Sequence, residues 1–117
     1  MRLITITILT LALLSCHQES NKLTILFDNV EGLETGGEVY YKGIKVGEVT
    51  HLDLFENKVV VDIKLKDSIR IPVGSKFIIN PSVIGSAHIT VDPSPQTAFL
   101  SSKDTVTGEY SKKQLLD

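Results

Sequence analysis

Lys58-Val59-Val60-Val61-Asp62-Ile63-Lys64-Leu65-Lys66 decides the fold class. Apolar side chains at 59, 61, 63 and 65 alternate with Lys58, Asp62, Lys64 and Lys66. That period of two is the signature of a strand with one face in a core and one in water. On the N-terminal side, Leu23, Ile25 and Phe27 alternate with Thr24 and Asp28. On the C-terminal side, Phe77 and Ile79 alternate with Lys76 and Asn80, and Ala87, Ile89 and Val91 with His88, Thr90 and Asp92.

Turn residues bound each run. Glu56-Asn57 precedes the Val59 strand, Pro72-Val73-Gly74 breaks the chain before Phe77, and Pro81 and Pro93-Ser94-Pro95 stop the strands they follow. About seven strands with turns every eight to twelve residues predict an all-β fold, a small barrel or sandwich. No helix of normal length is expected; the polar tail 111–117 has room for one frayed turn.

Residues 36–49 carry their own pattern. Lys42-Gly43 suits a tight hairpin that needs positive φ. Ile44 and Val46 share parity while Val49 falls on the other face, so a β-bulge at Gly47 is expected to restore the register. Gly37-Glu38-Val39 returns as Gly47-Glu48-Val49, an echo too short to be a repeat architecture.

The chain has 117 residues and a formal charge of -2. That length holds one core, not two. Lys+Arg 12 against Asp+Glu 14 gives no basic excess, so nucleic acid is not an expected partner.

Residues 1–15 differ from the rest. Ten of them are apolar, and Arg2 is the lone charge. At about 1.5 Å per residue, residues 3–14 reach less than about 20 Å, short of a hydrocarbon core of about 30 Å. The pattern reads as a secretory signal peptide. Leu13-Leu14-Ser15-Cys16 resembles the lipobox of bacterial lipoproteins, in which the cysteine is acylated and becomes the first residue of the mature chain. Cys16 is the single cysteine, so an internal disulfide is excluded. The expected layout is a signal peptide at 1–15, a lipidated Cys16 with a tether over 16–22, a domain over 23–110, and the tail.

Motifs for chemistry are missing. No P-loop, dinucleotide-binding glycine pattern or nucleophile elbow occurs, and no histidine pair has metal-ligand spacing. His17 falls in the tether, and His51 and His88 read as partly exposed strand residues. No catalytic residue, metal or cofactor is expected. One loop is odd: Pro81-Ser82-Val83-Ile84-Gly85-Ser86 sets two bulky aliphatics side by side among turn formers. Either it folds back onto the core or it meets something apolar outside.

Several segments together resemble a known family. Leu26-Phe27-Asp28-Asn29-Val30-Glu31-Gly32-Leu33, then Gly37-Glu38-Val39, then Lys42-Gly43-Ile44-Lys45-Val46-Gly47-Glu48-Val49, resemble the opening of an MCE (mammalian cell entry) domain of the MlaD-like kind. Ile71-Pro72 and Ser75-Lys76-Phe77-Ile78-Ile79 are similar to its middle. Ser82-Val83-Ile84-Gly85-Ser86-Ala87-His88-Ile89 is similar to the leucine-leucine-glycine-glutamate loop and the strand after it. The likeness covers about residues 22–94, and more weakly continues to Tyr110.

The resemblance implies a seven-stranded β-barrel, and six such domains around a central pore, commonly as a homohexamer. It implies carriage of phospholipids or other hydrophobic molecules across the bacterial periplasm, alongside an ABC permease and ATPase. Val83 and Ile84 fall where the family lines its pore; Gly32, Gly43, Gly47 and Gly85 are expected at turns or bulges of the chain. Two departures stand out: Ser86 replaces the acidic residue of the loop, which is one residue shorter. A lipid anchor at Cys16 also stands where most members keep a transmembrane helix. It would hold the domain on the periplasmic side of an inner or outer membrane. The alternative expectation is a small periplasmic β-barrel lipoprotein that binds a protein or glycan as an accessory.

Overall fold

A computed structural model describes residues 21–82 and 84–111. The expected signal peptide, Cys16, His17, Val83 and residues 112–117 lie outside the described residues, and with them the helical turn expected in the tail. The strands are β1 (Asn21–Phe27), β2 (Glu38–Tyr41), β3 (Ile44–Phe55), β4 (Lys58–Leu65), β5 (Lys76–Asn80), β6 (His88–Asp92), β7 (Thr105–Thr107) and β8 (Glu109–Tyr110). Among the described residues there is no helix.

Period two becomes inside and outside. Leu23, Ile25 and Phe27 of β1, Val61, Ile63 and Leu65 of β4, Phe77 and Ile79 of β5, and Ile89 and Val91 of β6 are all buried. Burying each such side chain fully stabilises the fold by roughly 1.5–3 kcal/mol. Ten of the largest, among them Phe27, Phe77 and Ile63, are fully buried, so side chains fill the interior of the barrel.

One sheet runs in the order β7-β1-β4-β3-β2-β6-β5-β8. Its two edges, β7 and β8, are consecutive in the chain with Gly108 alone between them. β7 pairs parallel with β1, and β8 pairs parallel with β5. The Gly108 N–H donates to the Leu26 carbonyl at 2.8 Å, and the Ser111 N–H to that of Ile79 at 2.8 Å. β7 and β8 are therefore one strand that knits both edges together. Counted so, the eight segments make the seven strands expected of an all-β barrel.

Gly108 is where the closing strand crosses the aromatic core. A Cβ there would lie 2.2 Å from Phe27 Cε1, so only glycine lets the backbone pass.

β3 carries two irregularities, one more than expected. Val39 faces Gly47 while Tyr40 faces Lys45, which leaves Val46 as the extra residue. Val49 faces Ile63 while His51 faces Asp62, which leaves Thr50 over. The first bulge brings Val46 and Val49 into the same core despite their opposed parity. Gly47 sits at this crossing, where a Cβ would meet the Lys64 carbonyl oxygen at 2.3 Å.

The connections sort to two ends. β1 runs from Asn21, opposite Leu65, to Phe27, opposite Val59, and the other strands follow by register. One end holds Asn21, the 42–43 turn, and the connections 66–75 and 93–104. The other holds the connections 28–37, 56–57 and 81–87. At the first end, Pro72 bridges to Phe99, and the buried Ser75 hydroxyl donates to the Pro72 carbonyl at 2.7 Å and accepts from the Ser94 N–H at 3.1 Å. Those bonds give two long connections a fixed shape.

Candidate functional site

The 81–87 connection leaves β5 at Pro81 and returns to β6 through Ala87. Gly85 turns it at φ +86, a conformation that L side chains rarely adopt. The Ser82 hydroxyl donates to the Ile84 carbonyl at 2.5 Å, bending the loop back on itself. At its base the Ala87 N–H donates to the Gly32 carbonyl at 2.9 Å, and the Ser86 hydroxyl lies 3.4 Å from a Glu34 carboxylate oxygen. The loop is thus stitched to the neighbouring 28–37 connection, where Gly32 has φ +88.

Between these supports Ile84 stands 88% exposed. Of the two possibilities left open for this loop, burial in its own barrel is excluded for Ile84. Val83 lies outside the described residues. Leu54 and Phe55, 75% and 64% exposed, crown the β3–β4 hairpin at the same end of the barrel. Their adjacency just before Glu56-Asn57 carries the same sequence signal as Val83-Ile84: two bulky apolar neighbours that one strand face cannot bury.

The remaining glycines divide by cause. Gly43, at φ +83, follows Lys42 at φ 52, so the 42–43 hairpin has positive φ at both central residues. Gly47 has no positive φ; closeness of backbone, not conformation, demands it.

A polar cluster lies along β2 and β6. The Tyr40 hydroxyl donates to Glu38 at 2.9 Å, and the Lys45 ammonium sits 3.5 Å from the other carboxylate oxygen. The His88 ring meets the Tyr40 ring edge-on, centroids 5.4 Å apart. The Tyr40 hydrogen bond, with help from Lys45 and His88, holds the Glu38 carboxyl below its ordinary range against a smaller opposing desolvation. The same hydrogen bond raises Tyr40. His51 is exposed on β3 across from Asp62. Among the described residues no three His, Cys, Asp or Glu side chains gather into a metal-binding group.

A filled barrel with an aliphatic loop standing clear of it cannot take a large apolar ligand inside, but can present one with an apolar contact outside. A family model described as MlaD protein matches residues 19–94. No curated protein matches the chain. Among solved structures, a chain of the Acinetobacter MlaFEDB complex in its ATP-bound Vtrans1 conformation aligns with a TM-score of 0.72. The identity is 14%, over 98% of this chain and 90% of that one, and at this level the likeness speaks for the fold.

Proposed function

The chain belongs to the MlaD protein family, whose model spans well over half of it, and from that membership we propose that it is a lipid-anchored ring subunit passing phospholipids or other hydrophobic molecules across the bacterial periplasm. Cys16 carries the anchor. Copies assemble as a homohexamer, and Val83 and Ile84 of each converge on a shared axis. The role is binding and passage, without catalysis, and an ABC permease and ATPase supply the driving force.

Ile84 carries this reading. It is almost fully exposed on a barrel whose own interior is closed by side chains. A lipid tail therefore finds no room within one copy and must run between copies. Each methylene taken from water stabilises the tail by about 0.8 kcal/mol, so a collar of six aliphatic loops suffices without any polar recognition. The structurally similar chain belongs to a complex, MlaFEDB, that has an ATP-bound state, which supports the assignment of permease and ATPase partners.

Native mass spectrometry of the full chain extracted from membranes, with analysis of co-extracted lipid, tests the proposal. The expected result is a hexamer with bound phospholipid. A lipid-free monomer, or a stable complex with an unrelated protein and no lipid, would overturn it.

A further inference from the structure

The two ends of the barrel differ in charge. At the Asn21 end, the connections 42–43, 66–75 and 93–104 hold Lys42, Lys66, Arg70 and Lys103 against Asp67 and Asp104, a net of +2. All six side chains are exposed. At the opposite end, the connections 28–37, 56–57 and 81–87 hold Asp28, Glu31, Glu34 and Glu56, a net of -4 that Lys58, paired with Asp28 from the start of β4, reduces to -3. The near-neutral chain is thus a charge dipole along its strands. The basic end also carries an amphipathic feature: the Arg70 guanidinium lies over the Phe99 ring, 4.7 Å from its centroid, with the ring 44% exposed.

We propose that the Asn21 end is a bilayer-docking face, with Lys42, Lys66, Arg70 and Lys103 set against anionic phospholipid headgroups and Phe99 at the boundary. The inference rests on the lipid-anchor reading of Cys16. Five peptide steps separate Cys16 from Asn21 and span at most about 18 Å. An acylated Cys16 thus tethers this end, and no other, within about two Debye lengths of the bilayer. There the basic end is attracted and the acidic end repelled, so the strands stand on the membrane with the 81–87 loop pointing away from it. Arg over an exposed aromatic ring suits the headgroup zone, which takes an apolar body and a charged tip together. A flexible anchor is by itself indifferent to orientation; the dipole supplies it.

The test uses the full acylated chain in vesicles of phosphatidylcholine with or without phosphatidylglycerol, with a fluorophore on T97C at the basic end or on E56C at the acidic end. A headgroup-attached nitroxide serves as quencher. The T97C label should be quenched in phosphatidylglycerol vesicles and released by high salt or by K66Q/R70Q/K103Q, each lost cation weakening the contact about fivefold. The E56C label should stay bright. Equal quenching of both labels, indifference to phosphatidylglycerol, or quenching that appears only with a second membrane protein overturns the docking face. Mass spectrometry of Cys16 separates this from the underlying reading: an acylated protein with an unquenched T97C label sinks the face alone, and an unacylated Cys16 sinks both.

Discussion

Two glycines with no left-handed backbone are as constrained as any residue here, and for different reasons. At Gly108 the obstacle is a side chain, the Phe27 ring. At Gly47 it is backbone, the Lys64 carbonyl. Gly108→Ala should destabilise the fold by about 3 kcal/mol, at the upper end of overpacking costs. In a Phe27→Leu background the same change should cost clearly less, as read from urea midpoints in a double-mutant cycle. Gly47→Ala should remain as damaging with Leu65→Ala as without it, because no truncation removes the carbonyl. Glu38 offers a second test at this scale. Its depressed folded-state pKa means that it contributes stability above its unfolded value, lost as pH falls through the folded one. Tyr40 has the opposite sign, contributing at lower pH and losing the contribution as pH rises through its elevated pKa. Carbon-detected NMR titration of Glu38 should show a midpoint below the usual glutamate range, and Tyr40→Phe should move it back up. An unchanged midpoint would refute the hydrogen bond as cause.

At the scale of elements, the β3–β4 hairpin is held by a two-residue turn with positive φ at both Glu56 (φ 48) and Asn57 (φ 68). Glutamate pays a steric cost there of roughly 1–2 kcal/mol, which asparagine or glycine reduces. Replacing Glu56-Asn57 with Asn-Gly should raise stability by about 1 kcal/mol, visible as a higher urea midpoint with an unchanged slope. Legibility in the sequence follows from the same physics. Alternation at Lys58-Val59 through Leu65, and at Leu23 through Phe27, reports burial directly, so β1, β4, β5 and β6 could be read. The bulge near Gly47 could be read because it breaks parity. The extra residue at Thr50 could not, because Leu52 alone records it: Leu52 meets the core alongside Val49 against parity, while Leu54 beyond it is exposed. β7 and β8 were equally hidden: with Val106 as the one aliphatic in Thr105–Thr107, pairing and not composition makes them strands. The exposure of Ile84 was legible only as an alternative, because adjacency of two aliphatics does not say which side of a loop they take.

For the whole molecule, the separation between core and loop permits a clean test of the proposed conduit. Ile84 contributes nothing to the interior, so Ile84→Asp should leave the thermal midpoint within about 2 °C. Phospholipid passage in cells or in a reconstituted system should nonetheless fall to background, since a ring of carboxylates would stand in the path of the acyl chains. Transport that survives, with the variant assembled, would show that the lipid takes another route.

The closing strand has a consequence for biogenesis. Its partners β1 and β5 belong to the first and middle parts of the chain, and it is the last of the described strands to emerge from the ribosome. Until it arrives, β1 and β5 each offer a row of unpaired amides and carbonyls to any neighbouring polypeptide. A nascent or truncated chain ending before Thr105 is therefore a template for strand exchange between molecules, and the short piece around Gly108 is what turns an adhesive sheet into a self-contained unit.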